Sequence, residues 1–171
     1  TLLATLLSLS SLTAAAATPL SEQIQQDYQQ HLGALFTHFH QHPELSHMET
    51  QTAKRLAKEL RAAGFDVTEG VGKTGVVAML KNGPGPLVMM RADMDGLPVE
   101  EKSGLPYASK ARQIDWDGND VHVMHACGHD VHITSLVGTA RRMAAMKDQW
   151  SGTLMLVGQP AEERVGGAKG M

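Results

Sequence analysis

A cysteine and a histidine separated by one residue lie in the segment 125–130 (HACGHD). Thiolate and imidazole are ligands that suit zinc and its neighbours among the transition metals. In an extended segment, Cys127 and His129 would point to the same side. A helix starting near Asp130 would place its positive end beside Cys127 and favour the thiolate. The segment therefore predicts a metal site, with an inert buried cysteine beside a satisfied histidine as the alternative.

Three other histidines, His122, His125 and His132, lie close to this segment in the sequence. Individually, they are weaker candidate ligands than Cys127 and His129. Each is interpreted as a surface histidine or as a residue that supports the ligands.

Two adjacent glutamates, Glu162 and Glu163, end the segment 158–163 (GQPAEE). Two carboxylates are costly to bury together unless a cation lies between or beside them. Because adjacent side chains are expected to point in different directions, the pair predicts a division of labour. One glutamate would bind metal, and the other would act as general base toward the attacking water. The alternative is a solvated acidic loop.

Two aspartates, Asp93 and Asp95, occur in the segment 91–98 (RADMDGLP), directly after an apolar run at 87–90. If that run is a strand, both lie at its carboxyl end, where ligands bind in open α/β sheets. An Asx-type turn is the alternative, since Asp-Gly is a common turn pair. All three polar segments lie where strands should end, which favours a shared site.

The elements that must position these residues can be predicted from the apolar pattern. Runs at 76–80, 87–90 and 154–157 predict strands, with a turn at 83–86 (GPGP) between the first two. Their continuous hydrophobicity predicts burial on both faces of the sheet. Helix and strand alternate in the second half of the chain. This alternation predicts an α/β layered domain, with helices packed on a mainly buried sheet.

Capping residues and apolar spacing predict three helices. Ser21 is expected to cap the first helix, which Pro43 ends. Ser46 and Glu49 fit a capping box for the second helix, which Gly64 closes. The third helix has one apolar side, formed by Ile133, Leu136, Val137, Ala140, Met143 and Ala144.

Composition excludes some classes of function. The chain has 171 residues, with 15 Lys and Arg against 18 Asp and Glu, a formal charge of −3. This balance implies no basic surface, so a nucleic-acid partner is not expected. The single cysteine excludes an internal disulfide framework.

Residues 1–17 (TLLATLLSLSSLTAAAA) are uncharged and end in a run of alanines. They are interpreted as part of a secretory signal peptide, with residues 18–171 as the mature domain. An ordinary N-terminal tail or core helix is the alternative. This interpretation predicts a periplasmic or secreted protein without stable membrane association after cleavage.

Four motifs resemble one family. The segments 42–46 (HPELS), 91–101 (RADMDGLPVEE), 124–130 (MHACGHD) and 158–163 (GQPAEE) occur in the same order in the hippurate hydrolases. These are grouped with the indole-acetyl-amino-acid hydrolases in the aminoacylase-like branch of di-metal peptidases. The resemblance covers roughly residues 22–171. It implies the N-terminal part of a zinc-exopeptidase-like catalytic domain, incomplete at its C-terminus.

The resemblance also implies a reaction and roles for individual residues. It implies hydrolysis of the amide bond of an N-acyl amino acid by an enzyme with two divalent metal ions. Zinc, manganese, nickel and cobalt all remain candidates. Glu162 would be the general base, and Asp95 would orient a neighbouring group of the metal site, whereas Asp93 has no implied role. The implied metal ligands are Cys127, His129 and Glu163.

The family also has two more histidine ligands and a lid domain used for dimerisation, both implied to lie beyond residue 171. Residues 112–123 form an insertion-like hairpin without an implied role. Two other hypotheses stay open. The chain could be a non-catalytic metal-binding or interaction fragment of a truncated hydrolase, or a metallo-exopeptidase acting on dipeptides with the same metal chemistry.

Overall fold

A computed structural model describes residues 18–171 as a mixed β-sheet flanked by helices. The predicted α/β class is confirmed. The helices are α1 (Leu20–Asp27), α2 (Gly33–Gln41), α3 (Thr50–Ala62), α4 (His129–Ala145) and α5 (Gly167–Gly170), with a π-helical segment at Tyr28–Leu32 and a 3-10 segment at Lys147–Gln149. The strands are β1 (Asp66–Val71), β2 (Gly75–Asn82), β3 (Leu87–Asp93), β4 (Arg112–Ile114), β5 (Asp120–His122) and β6 (Gly152–Gln159).

The main sheet has the strand order β1-β2-β6-β3. β2 is antiparallel to both of its neighbours, whereas β3 is parallel to β6. In the β3–β6 pair, Leu87 lies opposite Thr153 and Asp93 lies opposite Gln159. Because β3 and β6 are parallel, their carboxyl ends meet at one edge of the sheet. The three predicted strands are present, and β1 is an additional strand that the apolar pattern did not indicate.

One face of the sheet packs against the hydrophobic core, which also contains residues of α2, α3 and α4. Side chains on the opposite face, including Val77, Met79 and Met155, are only half-buried. On β3, Leu87 and Met89 are exposed. The prediction of burial on both faces is therefore wrong within residues 18–171. The reason is that no described helix covers the second face and that β3 is an edge strand of the described sheet.

The first helical region starts at Leu20 with Pro19 as its N-cap residue and has no side-chain cap. The prediction that Ser21 caps it is wrong, because Ser21 lies inside the first turn. A π-helical segment separates α1 from α2 and alters the helical phase between them. Ile24 is 46% exposed, whereas Leu35 and Phe39 of α2 are buried in the core. The second half of this region therefore contributes to the core, whereas Ile24 in its first half does not.

The predicted capping box at the start of α3 does not form. The Ser46 hydroxyl donates to Oδ2 of Asp95 at 2.6 Å. Oε1 of Glu49 accepts hydrogen bonds from the backbone N–H groups of His47, at 2.9 Å, and Ala161, at 2.8 Å. Both side chains thus connect the loop before α3 to the polar edge of the sheet.

Glu44 caps α3 instead. Its carboxylate accepts hydrogen bonds from the backbone N–H of Gln51, at 3.2 Å, and of Thr52, at 2.8 Å. A carboxylate is favourable at this position because it satisfies free N–H groups and meets the positive end of the helix dipole.

Within residues 18–171, every helix is too short or too polar to cross a membrane. The predicted signal peptide, residues 1–17, lies outside the described residues.

Candidate metal centre

The polar segments predicted from the sequence meet at the carboxyl ends of β3 and β6. Asp93 is the last residue of β3, and Glu162 and Glu163 lie in the turn that follows β6. His129 is the first residue of α4 and faces both of these strand ends. The parallel pairing of β3 with β6 brings together residues that are about 70 positions apart in the chain.

His129 is at the centre of this group. Its Nε2 atom lies 3.3 Å from Oδ2 of Asp93 and 3.8 Å from a carboxylate oxygen of each of Glu162 and Glu163. Burial opposes protonation of the ring, but hydrogen bonds to Asp95 and the nearby charge of Asp93 outweigh it and raise the pKa of His129. The ring is thus surrounded by negative charge on its Nε2 side.

Two sets of side chains are close enough to hold a metal ion, and His129 belongs to both. In each set, the ligand atoms lie within 4.8 Å of one another. The sets are His129, Glu162 and Glu163, and Asp93, His129 and His132. The exposed His132 ring stacks on His129, with 5.5 Å between ring centroids. Asp93 and His132 are therefore candidate ligands that the sequence did not assign.

A signal for His132 was present in the sequence. His132 is three positions after His129, a spacing that puts two side chains on the same face if both residues belong to one helix, as they do in α4. Asp93 faces them because it ends β3, and its Oδ1 accepts a hydrogen bond from the Arg91 guanidinium.

Asp95 lies beneath the site and is fully buried. Its Oδ1 accepts a hydrogen bond from the backbone N–H of Glu162, and its Oδ2 accepts one from the N–H of Glu163, both at 3.0 Å. Burial disfavours the carboxylate, but hydrogen bonds from His129, Ser46 and these two N–H groups lower the pKa of Asp95 to about 2. Asp95 is thus ionised at neutral pH and fixes the turn that carries Glu162 and Glu163, here called the glutamate turn.

The expectation that the two glutamates point in different directions is wrong. Glu162 and Glu163 both reach Nε2 of His129 at 3.8 Å. They lie in a turn that begins at Ala161, which has a φ of 48°, so the alternation of an extended strand does not apply. They differ in exposure, because the Glu162 side chain is 42% exposed and the Glu163 side chain 17%.

Cys127 lies in a turn rather than in an extended segment. The next residue, Gly128, is the N-cap of α4 and has a φ of 80°, a conformation that strongly favours glycine. Cys127 is exposed and belongs to neither set of potential ligands among residues 18–171. A hydrogen bond to Glu163 and the surrounding carboxylates raise the pKa of the thiol to about 11. The expectation that the positive end of α4 favours the thiolate is therefore wrong, because the nearby carboxylates outweigh the effect of the helix end.

A buried brace supports the start of α4. His40 Nδ1 lies 2.7 Å from Oδ2 of Asp130, and its Nε2 lies 3.1 Å from Oε1 of Glu101. Burial opposes protonation, but the two carboxylates outweigh it and raise the pKa of His40.

His125, near this brace, is buried, and its burial lowers its pKa to about 4. His122 lies in β5 beside Arg112.

The donor set fits a divalent cation. Oε1 of Glu163 is buried and has no hydrogen-bond partner within residues 18–171. Imidazole nitrogen and carboxylate oxygen are ligands that zinc and related transition metals accept. A cation here would satisfy this orphaned oxygen and neutralise part of the charge of the converging carboxylates.

Comparisons with known proteins find similar hydrolases and peptidases. Residues 89–171 match the model of peptidase family M20/M25/M40. Hippurate hydrolase of Campylobacter jejuni is 47% identical over 133 residues, which are 77% of this chain and 32% of that protein. Thermostable carboxypeptidase 2 of Saccharolobus solfataricus is 47% identical over 136 residues, again 77% of this chain and 32% of that protein. The chain thus spans about a third of the length of these curated relatives.

A solved structure is also similar. The Bacillus subtilis YXEP protein, described as a dinuclear metal-binding peptidase from the M20 family, has a TM-score of 0.74 and 35% sequence identity. The similarity covers 84% of this chain and 38% of that one.

Proposed function

We propose that this chain, whose residues 89–171 match the model of peptidase family M20/M25/M40, is part of a metal-dependent amidohydrolase that cleaves N-acyl amino acids. The observation that carries the proposal is the convergence of Glu162 and Glu163 on Nε2 of His129 at the end of β6. One imidazole and two carboxylates at the end of a strand can hold a divalent metal and also supply a base. The similarity to a hippurate hydrolase supports the substrate class.

His129 and Glu163 would hold the metal, with Cys127 at the mouth of the site as a further ligand. A bound divalent metal polarises a carbonyl group and lowers the pKa of water toward about 7. Glu163 suits the ligand role because its carboxylate is the less exposed of the two and has the orphaned oxygen. Asp93 and His132 are candidates for a second ion, which they would share with His129.

Glu162 would act as the general base. Its side chain is the more exposed of the pair and is therefore open to water and substrate. Its carboxylate would take a proton from the attacking water and then give it to the leaving nitrogen of the amide. Asp95 would support both roles, since it accepts hydrogen bonds from the backbone of Glu162 and Glu163. The products would be a carboxylic acid and a free amino acid.

A second candidate is a carboxypeptidase that acts on peptides. It is favoured by the similarity to a thermostable carboxypeptidase, at the same identity as to the hippurate hydrolase. The same residues would perform the chemistry, and only the group on the acyl side of the scissile bond would differ.

Turnover by the complete protein tests these proposals. The protein should be stripped with a chelator, reloaded separately with zinc, manganese, nickel or cobalt, and assayed on hippurate and on dipeptides with a free amino terminus. We expect loss of activity on stripping, recovery with at least one metal, and faster cleavage of hippurate. Faster cleavage of dipeptides would favour the exopeptidase. No cleavage of either class would favour a non-catalytic, metal-binding or interaction protein.

We further propose that the protein acts in the periplasm or outside the cell, since residues 1–17 have the apolar, alanine-ending pattern of a signal peptide. N-terminal sequencing of the exported protein should find a new terminus near residue 18. An unprocessed, cytoplasmic protein would contradict this proposal.

The complete protein is also proposed to be a homodimer through a second domain, which light scattering would test.

A further inference from the structure

The hairpin β4–β5, which has no role in the proposed chemistry, is anchored beside the candidate metal centre. At its base, the backbone N–H of Val123 donates to the carbonyl oxygen of Ala111 at 3.0 Å. The next residue, Met124, pairs with Leu97, two residues after Asp95. The hairpin is therefore attached to the segment that leads out of the site.

The tip of this hairpin has a well-defined turn. Oδ1 of Asp115 accepts hydrogen bonds from the backbone N–H groups of Asp117, at 2.9 Å, and Asn119, at 2.8 Å. Gly118 has a φ of 84°, which glycine accommodates without strain. This turn fixes the backbone on both sides of Trp116, whose side chain is held at the tip.

Trp116 contacts Arg164. The central carbon of the guanidinium lies 4.1 Å from the centroid of the indole ring, which is a cation–π contact. Arg164 directly follows Glu163, so its backbone is one residue from a proposed metal ligand. The hairpin thus holds a positive charge on the residue that directly follows the two glutamates of the site.

The guanidinium of Arg164 has no hydrogen bond or ion pair with any residue in the range 18–171, although two glutamates precede it. A guanidinium that stacks on an aromatic ring keeps its N–H edge available, and this edge matches the two oxygens of a carboxylate. N-acyl amino acids and peptides both carry a carboxylate that would be repelled by Glu162, Glu163 and Asp93. A cation next to Glu163 can offset that repulsion for a substrate in the site.

We propose that Arg164, held by Trp116, is a specificity-determining residue that binds the carboxylate of the substrate. The inference rests on the proposed function for the identity of the substrate. The position of Arg164 is supported separately by its contact with Trp116, which joins the hairpin to the glutamate turn. It also gives the hairpin 112–123 a role, since the hairpin would position the arginine.

The test compares hippurate with hippuramide, in which a neutral amide replaces the carboxylate. Binding to the complete, metal-loaded protein with Glu162→Gln, which blocks the proposed chemistry, is measured by calorimetry. Arg164→Gln is expected to weaken hippurate binding about 10- to 100-fold and to leave hippuramide binding nearly unchanged. Trp116→Leu should weaken hippurate binding by a smaller factor than Arg164→Gln does. Trp116→Phe should bind hippurate nearly as tightly as the protein that keeps Trp116. Lys58→Gln, which removes an exposed positive charge from α3, outside the hairpin and the site, is the control and should have little effect.

Two results would overturn the inference. One is an equal loss of affinity for both compounds in Arg164→Gln, and the other is no change for either. Turnover by the wild-type protein is measured separately, so that the proposed reaction is tested independently. If the wild type cleaves no N-acyl amino acid but Arg164→Gln still loses carboxylate-dependent binding, the reaction is wrong and the carboxylate site stands.

Discussion

Nδ1 of His129 lies 2.7 Å from the backbone carbonyl oxygen of Asp95, to which it donates a hydrogen bond. In the neutral ring this bond places the proton on Nδ1 and leaves the lone pair of Nε2 facing Glu162, Glu163 and Asp93. A hydrogen bond of this kind orients a histidine ligand and increases its basicity. One backbone carbonyl therefore determines which nitrogen of His129 can bind a metal.

His129→Ala is expected to reduce metal affinity more than any other single histidine substitution in the chain. The reason is that His129 belongs to both sets of potential ligands. We expect a loss of at least about 100-fold, measured by competition with a chromophoric chelator. His122→Ala, in β5 beside Arg112, is the matched control and should bind metal normally. Normal metal affinity of His129→Ala would show that the ligand set is wrong.

Cys127→Ala tests whether Cys127 is a metal ligand. The family resemblance implies this role, but Cys127 belongs to neither of the two sets of potential ligands in the structure. If the thiolate binds metal in the complete protein, the variant should lose bound metal, as measured by elemental analysis after dialysis. Cys127→Ser is the size-matched control for packing and should lose metal too, because a neutral hydroxyl is a poor substitute for a thiolate. Unchanged metal content in both variants would remove Cys127 from the ligand set.

The reactivity of Cys127 should reveal the charge around it in the metal-free protein. Its pKa is about 11, raised by Glu163 and the other carboxylates, so the thiol is protonated at pH 8. Because only the thiolate reacts, alkylation by iodoacetamide should be slow at pH 8 and accelerate as the pH rises toward 11. Glu163→Gln should lower the pKa and speed alkylation at pH 8, whereas Glu100→Gln should not. Equal rates in all three proteins would show that Glu163 does not raise the pKa of Cys127.

Much of the site follows from the sequence, because strands and the polar residues after them are local patterns. The apolar runs locate β3 and β6, and the polar residues after them predict that Asp93, Glu162 and Glu163 lie at strand ends. The spacing of His129 and His132 also indicates a shared helix face. Each of these features can be recognised within a short segment, whereas the parallel pairing that joins the two strand ends is seen only in the structure.

The tertiary partners of the supporting residues could not be predicted in this way. Ser46 and Glu49 fit a local capping box, yet Ser46 bonds Asp95, 49 residues away, and Glu49 bonds Ala161, 112 residues away. The pKa of Cys127 has the same origin, since the carboxylates that raise it come from other segments of the chain. Local patterns are overridden where the fold brings a stronger partner.

Asp95→Asn should destabilise the metal-free protein in a pH-dependent way. Folding lowers the pKa of Asp95 from 3.8 to about 2, so its ionisation stabilises the folded state above about pH 4. That stabilisation, about 2 kcal/mol, is lost as the pH falls through the folded pKa of about 2. Chemical denaturation should find the variant less stable by about this amount at pH 7, with the difference from the wild type narrowing below pH 4.

Asp66→Asn is the control for this experiment, because Asp66 is exposed at the start of β1. Its unfolding free energy should match that of the wild type at every pH. A constant difference between Asp95→Asn and the wild type from pH 7 to pH 2 would contradict the account of Asp95 as a buried, stabilising anion.

The role of Glu162 as general base is tested by the turnover number and metal content of Glu162→Gln in the complete protein. The substitution removes the proposed base and leaves the other potential ligands in place. We expect normal metal content and a fall in kcat on hippurate of about 10²- to 10⁴-fold, whereas Glu100→Gln, on an exposed loop, should retain wild-type activity. A variant that keeps its turnover, with its metal bound, would show that Glu162 is not the general base.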